Sequence, residues 1–343
     1  MAPPSKATPS RASTAKPWCD GTFNPWIGAD GSHRTSQTYK RVVIRWNRAE
    51  FVQCPACGWR GEALDCVWNG ARCPKCGDIV ESGRRRVFIS RIDAFAKEVP
   101  VERLVEFLDL IRRTPNLDWL VPTRSVLAWR ERLDACYSHL RPNRDAPESE
   151  LAVWVGNWLC EVPPPNVWLG AAVSTQAEVS RDVPVLLRSP AILRFLLIQP
   201  MRAAVDLRRL WRVETALHRS SIDWVICGGG IDSKGWAVYP DWLRSLRDQC
   251  AEAGVPFLFR HWGEWVPCPP EAWHGRGETG KPPQLYISAD GEYWWGPPSK
   301  EVRERLEALG WKPMQRVGKN RSGRLLDGIE HNESPSAPRP GSN

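Results

Sequence analysis

Cys54-Pro-Ala-Cys57 and Cys73-Pro-Lys-Cys76 are the residues of this chain whose types and spacing say most about chemistry. A CxxC turn sets two thiolates on one side of a tight loop. Gly58 and Gly77 follow the two pairs and let the backbone curl beneath a metal. Two such knuckles, with residues 58–72 between them, complete a tetrahedral four-sulfur shell. That donor set suits zinc and leaves no open position, so the expected site is structural rather than catalytic. Zinc would stand in for a core that a module over residues 51–83 is too small to build. The intervening WRGEALDCVWNGAR predicts a short hairpin turning at Asn69-Gly70. Cys66, a fifth cysteine in the module, is expected to be buried rather than ligating. The chain has 11 cysteines, an odd number, and the others are scattered in apolar settings. This pattern points to a reducing, cytoplasmic setting with a metal site, not to a disulfide framework.

Groups able to move protons are few. They stand where apolar runs end: Asp93 after RVFIS, Asp232 after IDWVICGGG, and His261 and Glu264 in RHWGEW. His261, Glu264 and Asp93 are the candidate acid/base groups. His261 is read equally well as a packing histidine. Gly228-Gly229-Gly230 either admits a ligand close to the backbone or simply makes a tight turn.

The elements that must position these groups alternate. Strand-type runs are RVFIS (86–90), DWLVP (118–122), NVWLG (166–170), LRFLLI (193–198), IDWVIC (222–227) and VPFLFR (255–260). Helical patterns lie between them at 101–113, 126–140, 175–189 and 240–254. The last begins with Pro240-Asp241 and is followed by Gly254, both sound boundary signals. Strands apolar on both faces, alternating with helices, predict a parallel α/β sheet. Six of them, with one more possible strand before, fit a partial or full TIM-like (βα) barrel, residues 17–50 and 84–270, interrupted by the zinc ribbon. A doubly wound open sheet is the alternative. Either way the chemistry belongs at the carboxyl ends of the strands.

The 343 residues suffice for one large domain with an appendage, here the ribbon, and a C-terminal extension over 271–328. Residues 1–16 and 329–343 are Pro/Ser-rich and are expected as disordered tails. The first tail is basic without acids, which suits a plain tail or a transit peptide but not a secretory signal. No apolar run is long enough for a membrane span. The formal net charge of +8 permits a polyanion partner without requiring one. Basic residues gather at Arg84-Arg85-Arg86, at Arg208, Arg209 and Arg212, and in RVGKNRSGR (316–324), each read first as solvated surface.

TFNPWIG, DWLVPTRSVLAWRERL, NVWLGAAVSTQ, RFLLIQP, IDWVICGGG, PDWLRSLRDQCAEAGVPFLFRHWGEW and RVGKNRSGRLLDG, in that order, resemble a phage and prophage family. This is the gp thirty-seven / gp sixty-eight family, a domain of unknown function with a radical-SAM-like barrel. The resemblance covers roughly residues 18–50 and 84–328. It implies a loop of three cysteines that would hold an iron-sulfur cluster and S-adenosylmethionine. Here those positions carry Ala29, Ser36 and Tyr39. Family carboxylates at strand ends are likewise replaced, by Ser174, Gln199 and Gly230. The resemblance therefore implies a degenerate, non-catalytic barrel with a binding or regulatory role, without cluster or S-adenosylmethionine. Two alternatives stand beside it. One is a nucleic-acid binder using the ribbon and the basic clusters; the other is an enzyme with cluster-free chemistry in the cavity. A nucleic acid or a protein is the expected partner.

Overall fold

Seven short runs pair side by side in the order in which the chain makes them. They are β1 (Gly21–Phe23), β2 (Arg85–Ile89), β3 (Leu117–Thr123), β4 (Val167–Val173), β5 (Leu193–Ile198), β6 (Trp224–Cys227) and β7 (Phe257–Phe259). All neighbours are parallel. The spatial order never reverses. A doubly wound sheet needs a reversal at its switch point, so that alternative is excluded. The result is a curled parallel sheet, a half-barrel, in a mixed α/β chain. The computed structural model describes residues 19–24, 37–90, 93–141, 148–214, 219–231, 235–268 and 284–335.

Helices α1 (Gln37–Arg48), α2 (Val101–Arg112), α3 (Trp129–Leu140), α4 (Glu150–Leu159), α5 (Gln176–Arg188) and α6 (Pro240–Ala253) lie in the connections, except that between β5 and β6, where Arg212–Glu214 and Arg219–Ser221 pair as a short antiparallel hairpin. Their ends follow local chemistry. Thr175 caps α5 in a reciprocal box with Glu178. Gly254 closes α6 with φ +66°, a left-handed turn that costs glycine little.

Strand residues alternate between two apolar faces, as a period of two requires. Val87, Ile89, Trp119, Val121, Leu169, Leu196, Ile198 and Val225 join the helices in the main core. Phe88, Leu120, Trp168, Phe195, Leu197, Trp224, Ile226 and Leu258 fill the concave side with Cys19. Each fully buried aromatic there contributes up to about 3 kcal/mol. Gly170 makes room for one of them, since a Cβ at that position would lie 2.3 Å from the Phe195 ring.

Residues 329–335 were expected as part of a tail and are instead built into the sheet. Phe259 N donates to His331 O (3.0 Å), and Leu258 bridges Asn332 antiparallel. Trp224 Nε1 donates to Glu333 O (2.9 Å) and Arg86 Nη2 to Pro335 O (3.0 Å). The free edge of β7 needs backbone partners, and this segment supplies them. Residues 1–16 and 336–343 lie outside the described residues.

Beyond β7 the chain adds a four-stranded antiparallel sheet of β8 (Trp265–Pro267), β9 (Leu285–Ile287), β10 (Tyr293–Trp295) and β11 (Lys312–Arg316), with α7 (Lys300–Ala308). It seats on α6 through Trp242 Nε1, which donates to Ala289 O (2.9 Å), and through Tyr239 OH, which donates to Gly310 O (2.9 Å). Residues 271–283 of the expected extension lie outside the described residues.

Candidate metal centre and barrel mouth

The four ribbon sulfurs meet. Cys54, Cys57, Cys73 and Cys76 place their Sγ atoms within 4.8 Å of one another. Cys54 Sγ lies 3.5 Å from Cys76 Sγ, and Cys57 Sγ lies 3.6 Å from Cys73 Sγ. Zinc–sulfur bonds of about 2.3 Å would set tetrahedral sulfurs about 3.8 Å apart, so donor set and spacing fit zinc. The two knuckles match. Gly58 N donates to Cys54 O and Gly77 N to Cys73 O, both at 2.9 Å. Gly58 and Gly77 have φ of +69° and +79°. Burial would raise the Cys73 thiol, but donation from the Cys76 and Lys75 amides outweighs it and brings the thiol to about 7. Cys66 is buried outside the quartet, and burial raises its thiol.

Between the knuckles the expected hairpin is replaced by a 3-10 helix, Ala63–Asn69. Gly70 serves as its left-handed C-cap (φ 62°) rather than as a hairpin turn. The same glycine property is used for a different end. This helix leaves Leu64, Val67 and Trp68 exposed, with Ile79 nearby in sequence.

A three-stranded antiparallel sheet of Phe51–Gln53, Arg60–Glu62 and Glu81–Ser82 ties the ribbon to the barrel. Arg60 Nε and Nη2 donate to Asp20 at 3.3 and 3.1 Å. Asp20 also accepts from Arg86 N (2.7 Å). Arg85 pairs with Glu62 (2.6 Å) while lying over the rings of Trp46 and Phe51. These contacts sit where β1 and β2 begin. The ribbon therefore occupies the amino-terminal end of the half-barrel, opposite the strand ends where chemistry belongs.

Sequence reasoning took Arg84-Arg85-Arg86 as solvated surface, and the structure corrects this. Arg85 and Arg86 are buried. Arg86 shares the concave face with Phe88, two residues on, and lies 5.0 Å from the Trp168 ring and 5.6 Å from that of Trp224. Burial, then the charge of Arg60, lowers it to about 10. Strand alternation from Phe88 was the signal available for this. Two clefts, of about 900 and 1000 Å³, open at this same end; Arg208, Arg209 and Arg212 line the first.

At the carboxyl ends the expected acid/base groups are engaged. Asp93 accepts from Thr123 Oγ1 (2.6 Å), Ser125 Oγ (2.8 Å) and the amides of Phe95, Arg124 and Ser125. It clamps the turn after β3. Glu264 pairs with Arg316 (3.4 Å), and its carbonyl accepts from Val317 and Gly318. Gln199 is the hub: it accepts from Arg260 Nη1 (2.5 Å) and donates to Gly229 O (3.2 Å). Its Nε2 lies 3.2 Å from His261 Nε2, so that ring nitrogen accepts. Arg124 Nη2 donates to Gln199 O at 3.5 Å. Burial, then the charges of Arg260 and Lys319, lowers His261 to about 3. Among the described residues no hydrogen bond joins His261 to Asp93 or Glu264.

The triple glycine makes a close backbone approach. A Cβ on Gly229 would lie 1.8 Å from Trp262 O. Gly229 N donates to His261 O, and Glu264 N to Gly230 O, both at 2.9 Å. The turns after β6 and β7 thus interlock. Ala29, Ser36 and Asp232 lie outside the described residues, and Tyr39 falls within α1.

Ribbon, half-barrel and C-terminal sheet are covered by one family match. The family described as a protein of unknown function, DUF5131, matches residues 13–335. The chain belongs to the DUF5131 family. No curated protein and no solved structure matches it. Among the described residues of this DUF5131 member, no helix is long and apolar enough to cross a membrane.

Proposed function

We propose that this DUF5131 member is a non-catalytic binding protein. In this reading it is a radical-SAM-like barrel, of the kind carried by the phage family it resembles, that has lost its cluster and is braced by a structural zinc ribbon. The observation that carries the reading is the commitment, among the described residues, of the mouth's polar groups to one another. Asp93 receives five donations, Glu264 is paired, and Gln199 ties Arg124, Arg260 and His261 together. A general base must offer a lone pair to substrate with a pKa near the working pH. His261, held at about 3, is far too weak for that. Residue types support the same view, because Ala29, Ser36 and Tyr39 cannot supply three thiolates.

A nucleic-acid role through the ribbon is less well supported. Residues 51–83 carry Arg60, Arg72 and Lys75 against Glu62, Asp65, Asp78 and Glu81. The exposed surface of Leu64, Val67 and Trp68 is apolar rather than basic. The test of the main reading is turnover. Protein treated anaerobically with iron and sulfide, then given dithionite and S-adenosylmethionine, is expected to yield no 5′-deoxyadenosine above a protein-free control. Repeated turnover would sink the reading.

A further inference from the structure

The basic run 316–324 ends up at the barrel mouth rather than on a remote surface. Val317 N and Gly318 N both donate to Glu264 O, at 3.0 and 3.1 Å. Lys319 N approaches Glu264 Oε1 at 3.4 Å. Further along, Arg324 Nε donates to Arg260 O (3.1 Å), and its Nη2 donates to Phe259 O (3.4 Å). The segment is thus laid across the carboxyl end of β7, bringing Arg316, Lys319, Arg321 and Arg324 with it.

A second set of cations meets it from the other strand ends. Arg124 follows β3 and reaches Gln199 after β5; Gln199 in turn holds Arg260 and His261 after β7. Arg202, also after β5, lies 4.6 Å from the Trp236 ring and donates its amide to Ser174 O. Arg124, Arg202, Lys319 and Arg321 are exposed. Among the described residues, the carboxylates tied to these turns are already engaged. Asp93 is turned into the β3 clamp, and Glu264 is shared with Arg316. His261 stays neutral above acid pH and adds no charge of its own. Exposed guanidinium groups on the turns after several strands suit oxyanions, which they bind through forked, charge-assisted hydrogen bonds.

We propose that the mouth of the half-barrel, rimmed by Arg124, Arg202, Lys319 and Arg321, binds a phosphate-bearing ligand. The shared chemistry is the phosphoryl oxyanion, presented either by a single-stranded nucleic acid or by a small polyphosphate. The inference rests on the reading of the barrel as a binder. Cleavage of S-adenosylmethionine would refute that reading and leave the measurement below standing.

The test uses the full zinc-loaded chain without iron. A fluorescein-labelled oligothymidylate of about 20 nucleotides is titrated by anisotropy at low salt, and inorganic tripolyphosphate is titrated by calorimetry and as a competitor. Two triple variants are compared, each removing three exposed positive charges. One is Arg124→Gln, Lys319→Gln, Arg321→Gln at the mouth. The other is Arg208→Gln, Arg209→Gln, Arg212→Gln at the opposite end. The mouth triple is expected to weaken binding by about ten-fold or more and to lower the salt slope by about two. The opposite-end triple is expected to change it less than about two-fold. Oligothymidylate binding lost at the mouth triple identifies nucleic acid as the source. Tripolyphosphate binding alone, with the same loss, identifies a small ligand. Equal loss in both triples, or no binding of either probe by the unaltered chain, overturns the proposal.

Discussion

Asp20→Ala tests how the ribbon is joined to the half-barrel. Asp20 and Arg60 keep only 13% and 14% of their side-chain surface exposed. The carboxylate accepts twice from Arg60 and once from Arg86 N. Stripping one partner from a buried pair costs about 3–5 kcal/mol. Arg60 retains Gln53 Oε1 (2.7 Å) and Arg84 O (2.5 Å), which moves the cost to the low end or below it. The orphaned Arg86 amide adds about 1 kcal/mol. The expected loss is about 3 kcal/mol for Asp20→Ala and about half that for Asp20→Asn, which keeps an acceptor. Urea unfolding of zinc-loaded protein gives the readout, followed by far-UV circular dichroism and by zinc release to a chromogenic chelator. Both signals should move together, because the pair spans ribbon and sheet. A shift below about 0.5 kcal/mol in both would refute the claim that this pair is the joint.

Other substitutions probe the centre and the mouth. Cys76→Ser should reduce zinc from about one per chain to near none and lower the urea midpoint, while far-UV dichroism keeps the helical signal of the barrel; collapse of that signal would make the ribbon integral to barrel folding. Gly229→Ala forces a Cβ against Trp262 O and should cost about 3 kcal/mol or more in thermal unfolding, whereas Gly228→Ala, at 3.1 Å from His261 O, should cost about 1 kcal/mol. Equal effects would contradict the interlocked turns. The folded-state value of His261 lies below its unfolded value of 6.5. Below that pH the unfolded chain takes up a proton that the folded chain refuses, so stability from this residue is complete above about 6.5 and falls toward about 3, by up to about 1.4 kcal/mol per pH unit. His261→Gln should flatten that acid limb; an unchanged pH profile would contradict its burial in cationic surroundings.

The parallel sheet was legible because Phe88, Trp168 and Phe195 make both faces of their strands apolar, which only a covered sheet tolerates. The quartet was legible because CxxC spacing is itself geometry. Other features depend on partners distant in sequence. Asp93 looks like a base until Thr123 and Ser125, thirty residues on, fill its oxygens. Residues 329–335 look like a tail because what orders them is the open edge of β7. Helix α4 (LAVWVGNWL) went unread because it is apolar nearly all round and its cap, Ser149, sits in a polar stretch. Asn69-Gly70 misled because left-handed glycine closes a 3-10 helix as readily as it turns a hairpin.

Metal content with an absorbance spectrum, taken on anaerobically purified protein, tests the central claim most directly. A four-thiolate ribbon beside a cluster-free barrel predicts about one zinc per chain, no iron and no colour. A brown protein with a broad band at about 400 nm and about four irons per chain would contradict it.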